Sequence, residues 1–328
     1  MTEALPDFRL HRPESLEELA ALWRAEPQAR VFGGGTDIIP NLRRGLVDAP
    51  ALIELGALPG FADLTLLPDG GLRLGAGLRL ADLASETELA GGWRALAEAA
   101  RAVAGPAHRN AATLGGNLCQ DTRCLYYNQS DWWRAANGYC LKYRGDTCHV
   151  APQGSRCRAA FCSDLAPALI ALGAEAELAG PGGTRQIALL ALYRDDGAAH
   201  LALGPGELLV AVHLPAFAGV SGYEKMRVRR GVDFPLAGVG AALAPVAGGW
   251  ALRVAVSGTD SLPVAITGLP SPLALPLAAA VIEQIDKAVQ KQVTPMRSTM
   301  VSSHYRRLAA AALARRLVQR LAREAAAA

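Results

Sequence analysis

Apolar and polar positions along the 328-residue chain fall into three regularly patterned blocks and one long stretch with no regular pattern. In the first block an apolar-periodic helix is predicted over Leu16–Ala25, headed by Ser15 and Glu18 as a capping box. A short strand, Ala29–Phe32, runs directly into Gly33-Gly34-Gly35-Thr36-Asp37. Ile38–Arg44 reads as a helical turn, Ala51–Leu55 as a second strand, and Pro59-Gly60 closes the block. The second block opens at Phe61. Leu64–Leu67 and Leu72–Gly77 alternate as paired strands around a Pro68–Gly71 turn, and a Trp93–Val103 helix stops at Gly105-Pro106. After the unpatterned stretch come a Ser163–Leu172 helix, an Ala174–Leu178 strand, a Gly180–Gly183 turn and a Glu207–His213 strand. The third block, from about Ala216, holds strands at Tyr223–Arg227, Gly238–Ala244 and Trp250–Ser257. It ends in a Ser302–Ala328 helix with Arg306, Arg307, Arg315 and Arg316 on one side. No internal repeat is visible.

The length exceeds one core of ordinary size, and 51% apolar with 19% charged residues is a globular composition. A net charge of +3, with no basic run interleaved with aromatics, argues against a nucleic-acid partner. No apolar stretch reaches the roughly 18 residues of a membrane span. The Ala/Leu-rich run Leu273–Ile282 is interrupted by Pro276 and stops at Glu283. Met1–Leu10 carries Glu3 and Asp7 and no apolar leader. The expectation is a cytoplasmic protein, whose thiols stay reduced and whose clustered cysteines point to metal before disulfides. No G-x-S-x-G elbow, H-E-x-x-H or paired-carboxylate motif is present, so no catalytic residue is assigned.

Two Gly-rich segments can carry chemistry. Val31-Phe32-Gly33-Gly34-Gly35-Thr36-Asp37-Ile38 follows a strand and precedes a helix, a setting in which bare backbone approaches a phosphate closely. It is neither a G-x-G-x-x-G nor a Walker motif. Thr113-Leu114-Gly115-Gly116-Asn117 has the same character. Each alone also reads as a structural turn.

All six cysteines lie between Cys119 and Cys162, and the stretch from about 120 to 161 holds seven of the chain's 18 aromatic residues. A loop this long without pattern is functional or disordered, and its aromatics argue against disorder. A metal centre holding a small aromatic core is the expectation. Cys124, Cys140, Cys148 and Cys157 follow a C-x15-C-x7-C-x8-C spacing, with none of the tight knuckles of structural zinc. Wide spacing suits a cluster better than one ion, but does not select four ligands from six. Arg123, Arg134, Lys142, Arg144, Arg156 and Arg158 against three acids make a local basic excess that can offset cluster charge. His149 is a further candidate ligand, with a hydrogen-bonding surface role the plainer reading.

The motifs above occur in one order with Leu74-Gly75-Ala76-Gly77, Ser163-Asp164-Leu165-Ala166-Pro167 and Tyr223-Glu224-Lys225. That series resembles the FAD subunits of the xanthine oxidase / molybdenum hydroxylase family over essentially the whole chain. The resemblance implies an α+β fold: two α/β FAD-binding subdomains (1–60 and 61–215) plus a C-terminal α+β domain (216–328), with an iron–sulfur loop inserted at about 120–161. It implies that Val31–Ile38 and Thr113, Gly115, Gly116 and Asn117 hold the FAD pyrophosphate, with Asp164 near the adenosine half and Lys225 near the flavin ring. Ordinary members join the Gly-Gly-Asn turn to the Ser-Asp segment by a short link, whereas 45 residues separate Asn117 from Ser163 here. The long loop is similar to that of the β subunits of 4-hydroxybenzoyl-CoA reductases, which bind one [4Fe-4S] cluster. On that likeness Cys124, Cys140, Cys148 and Cys157 are the ligands, while Cys119 and Cys162 are buried framework thiols. The same likeness implies reductive dehydroxylation of 4-hydroxybenzoyl-CoA on a molybdopterin-binding large subunit, a small subunit with two [2Fe-2S] clusters, ferredoxin as electron donor, and a dimer of heterotrimers.

Overall fold

Three sheets carry the chain in the computed structural model, which describes residues 4–229 and 231–327. Glu3 of the N-terminal reading and Ala328 of the expected last helix lie outside the described residues. The first sheet is parallel, in the order β1-β3-β2, from β1 (Arg9–His11), β2 (Arg30–Phe32) and β3 (Ala51–Glu54). Its centre is the apolar run Ala51-Leu52-Ile53, fully buried. Between the strands lie α1 (Leu16–Ala25) and α2 (Ile38–Arg43). The cap on α1 forms as expected: Ser15 Oγ accepts the Glu18 N–H at 3.1 Å, and Glu18 Oε2 takes the N–H of Glu14 at 2.8 Å.

The second unit begins with the hairpin β4 (Leu64–Leu66) and β5 (Leu72–Gly75), then α3 (Leu80–Ser85), α4 (Arg94–Ala102), α5 (Pro106–Ala111) and α6 (Leu114–Leu118). The long loop follows, with α7 (Asp131–Ala136) inside it, and then α8 (Leu165–Leu172), β6 (Glu175–Gly180), β7 (Gly183–Ala188) and β8 (Leu208–Leu214). These strands form one antiparallel sheet, β4-β5-β8-β6-β7. Because β5 before the loop pairs with β8 after it, the loop is an excursion from a sheet closed on both sides of it. Arg123 and Ala160 tie its neck by two backbone bonds of 2.7 Å, so it costs little beyond its own loop closure.

β9 (Val220–Met226), β10 (Ala237–Val246), β11 (Gly249–Ser257) and β12 (Val264–Ala265) make the third sheet, in the order β12-β11-β10-β9. Helices α9 (Ala279–Gln292) and α10 (Ser303–Ala327) complete this unit. Ile285, Val289, Leu317 and Leu321 bury its apolar face together with Val239 and Val254. The apolar helix α8 lies against β10, where a Cβ on Gly240 would overlap the Pro167 carbonyl, so close helix–sheet approach requires glycine there. One continuous core joins Leu19, Ala51 and Ile53 to Leu72, Leu96, Leu165 and Val212, and so runs through the expected boundary at residue 60.

Candidate functional site

The first Gly-rich segment leaves β2 at Phe32 and turns at Gly35, whose φ of +70° is left-handed and favours glycine. Within the described residues none of the backbone N–H groups of residues 33–38 finds an acceptor in the chain, and the segment is accessible to solvent. Six successive free donors make a nest for an anion. Against this turn stands the second segment. A Cβ on Gly33 would lie 2.6 Å from Thr113 Oγ1, and one on Gly34 would overlap the Ala111 carbonyl oxygen, so two backbones meet where neither side chain fits.

The segment forms the short helix α6 (Leu114–Leu118) rather than the expected turn, capped by Thr113, whose Oγ1 accepts the Gly116 N–H at 3.1 Å. Gly115 donates to the Ala76 carbonyl at 2.7 Å and Asn117 to that of Thr113. Asn117 Oδ1 accepts from the Ser163 hydroxyl at 2.7 Å and from the Leu165 N–H at 3.3 Å. Gly115, Gly116 and Asn117 thus brace the cradle from behind, with their N–H groups already taken, and the free donors are those of residues 33–38.

Asp164 and Lys225 lie on one ion pair of 2.9 Å, each side chain 4% exposed. Tyr223 donates its hydroxyl to Asp164 Oδ1 at 2.5 Å, and Lys225 also reaches the Ala102 carbonyl at 3.1 Å. Burial pushes the Asp164 carboxyl above its ordinary value although Lys225 pulls it down. The residue expected near the adenosine half and the one expected near the flavin ring thus stand together as one buried pair. Tyr223, not singled out before, is the pair's third member.

In the loop, Cys124, Cys140, Cys148 and Cys157 line one small cavity. Tyr126, Tyr127, Lys142, His149 and Val150 also line it. All six cysteines are free thiols, and Cys119 and Cys162 lie outside this cavity. Cys162 is buried against the Ala160 carbonyl and its thiol is pushed up to about 11. Burial raises the Cys124 thiol and takes Cys157 up to about 12, so both bind metal only with loss of a proton. His149 lines the cavity too, with Nε2 on the Tyr139 carbonyl. Among the described residues no three His, Cys, Asp or Glu side chains converge on the position of a single ion.

A small core backs the cavity: Leu46 of the first unit, Tyr127 and Ala159, with Tyr143 and Val150 packed on it. The loop's aromatics contribute unequally to it, since Trp132 is 77% exposed and Phe161 belongs to the main core. The basic excess also dissolves on folding. Arg123 pairs with Asp37, Arg144 with Asp48, and Arg156 and Arg158 with Asp195, all acids outside the loop; Arg134 pairs with Asp131 and Lys142 with Asp121. Only Lys142 borders the cavity. Asp37, at the end of the Gly-rich turn, takes the Asp121 N–H at 3.1 Å as well as Arg123, which fastens the loop to the anion nest.

Residues 6–217 match the family model described as the FAD-binding domain in molybdopterin dehydrogenase. The FAD-binding subunit of an aldehyde oxidoreductase of Escherichia coli K12 is 34% identical over 79% of this chain and 83% of its own. The carbon monoxide dehydrogenase medium chain of Afipia carboxidovorans is 26% identical over 77% and 74%. Among solved structures, a Cu,Mo-CO dehydrogenase chain superposes with a TM-score of 0.79 at 22% identity, covering 98% of this chain and 100% of that one. Quinoline 2-oxidoreductase from Pseudomonas putida gives 0.76 at 21%, covering 98% and 99%.

Proposed function

The chain belongs to the FAD-binding family of molybdopterin dehydrogenases, and on that premise we propose that it is an electron-transfer subunit holding FAD and one [4Fe-4S] cluster. The observation that carries the cluster is the meeting of four cysteines, 33 residues apart from first to last, on one cavity that excludes the other two. Thiolates spread around a cavity wall suit a polynuclear centre, whereas a zinc ion draws its sulfurs to about 2.3 Å from one point. For FAD, the free N–H groups of residues 33–38 hold the pyrophosphate, with Val31 and Phe32 leading into them. Thr113, Gly115, Gly116 and Asn117 shape the far wall, and the buried Asp164–Lys225 pair joins the second unit to β9 of the third. When bound, FAD exchanges electrons in pairs or singly and the cluster singly. The chain's own part is to hold both groups in place and apart from water.

The substrate is converted on a molybdopterin-binding large subunit, linked by a small subunit with two [2Fe-2S] clusters, in a dimer of heterotrimers. Two substrate readings have specific support. Aldehyde oxidation is favoured by the 34% identity to an aldehyde oxidoreductase subunit over most of the chain. Reductive dehydroxylation of 4-hydroxybenzoyl-CoA, with reduced ferredoxin as donor, is supported by the cysteine loop. Iron and flavin analysis of anaerobically purified protein tests the cofactors: four irons and one FAD per chain are expected, and iron well below four refutes the cluster. Assay of the whole complex with an aromatic aldehyde plus acceptor, and with 4-hydroxybenzoyl-CoA plus reduced ferredoxin, separates the two reactions.

A further inference from the structure

Among the described residues Lys142 is the one lysine or arginine on the wall of the cysteine cavity, and its side chain is only 6% exposed. Its three ammonium hydrogens meet three acceptors: Asp121 Oδ1 at 2.6 Å, Thr122 Oγ1 at 2.6 Å and the Thr122 carbonyl at 3.2 Å. The Tyr127 ring lies 4.4 Å from Nζ. No hydrogen remains for a sulfur, so Lys142 acts on the cavity's contents by charge alone. Asp121 is set differently: it is 22% exposed, does not line the cavity, and lies behind Lys142. The pair is therefore an oriented dipole with its positive end toward the cysteines.

We propose that this Lys142–Asp121 dipole sets the reduction potential of the cluster, Lys142 raising it and Asp121 restraining that rise. The inference rests on the cluster reading above. One-electron reduction takes a four-thiolate [4Fe-4S] centre from about −2 to about −3. A buried cation beside it favours the more negative state, and the carboxylate behind, farther from the cavity, cancels part of that effect. The two residues are thus opposed in sign, although they form one ion pair.

The test is a dithionite titration of the full chain, followed by the cluster's low-temperature EPR signal. Lys142→Met is expected to lower the reduced-to-oxidised ratio at a given poise about tenfold, a shift of about 59 mV for one electron. Asp121→Asn is expected to move the ratio the other way by a smaller factor, and Lys142→Arg to stay near wild type. Loss of a merely structural ion pair would move both variants in the same direction, or neither, and either result overturns the proposal. If Lys142→Met does not retain four irons, the direction of the Asp121→Asn shift decides. Wild-type protein without iron would instead overturn the cluster reading itself, which iron analysis shows before any titration.

Discussion

Replacing Lys225 by methionine isolates the buried pair. Asp164 would keep the Tyr223 hydroxyl and lose its counter-charge at a site where its side chain is 4% exposed. Stranding one partner of a buried pair costs about 3–5 kcal/mol. For a folding unit of this size that lowers the melting temperature by about 10 °C. The loss depends on pH, with a definite sign. Burial already holds the Asp164 carboxyl above its unfolded value, and without Lys225 it rises further. The folded variant then keeps a proton that the unfolded chain gives up near pH 4, so its stability falls as pH rises, by about 1.4 kcal/mol per unit up to the folded value. The deficit against wild type should be largest at pH 8 and roughly half as large at pH 5. Adding Asp164→Asn removes the stranded charge and should restore most of the loss at pH 8. Thermal melts followed by circular dichroism at both pH values, on wild type, single and double variants, measure all of this. An equal loss at pH 5 and pH 8 with no recovery in the double variant would show that the pair is not what stabilises this site.

Gly34→Ala places a methyl on the Ala111 carbonyl and must part the two Gly-rich segments; flavin absorbance per chain should fall several-fold while iron stays near wild type. Serine at Cys124, Cys148 or Cys157 should cost most of the bound iron, and Cys119→Ser should leave it in place; equal iron loss from Cys119→Ser would refute the choice of four. Asn117→Ala frees the Ser163 hydroxyl and the Leu165 N–H at a buried helix start, an expected loss of about 1–3 kcal/mol, read from urea midpoints.

What the sequence made legible was mostly local. Ser15 and Glu18 lie three residues apart and cap α1 as their chemistry dictates, and alternation with a Pro-Asp-Gly-Gly turn defined the β4–β5 hairpin. Elements without a strong local pattern stayed hidden. β7 is an almost wholly exposed edge strand with no alternation, and α9 starts within an Ala/Leu-rich background that carries little periodic contrast. Within the loop, α7 does have a cap, Ser130 on the Trp133 N–H, that could have revealed it. Tertiary pairing was the least legible. The choice of four cysteines came from resemblance, since spacing left all six open. The basic excess was misread because Asp37, Asp48 and Asp195 reach the loop from elsewhere in the chain, and 61 residues separate Asp164 from Lys225.

The loop also leans on parts of the chain made long after it. Leu125 donates to the Ser298 carbonyl at 2.8 Å, Ser261 Oγ to the Cys157 carbonyl at 3.2 Å, and Phe161 to that of Asp260 at 2.8 Å. A nascent chain therefore has its four inner cysteines outside the ribosome well before the supports at 258–261 and 298 exist. A fragment ending near residue 217 would keep every cysteine yet lack the backing that holds them together.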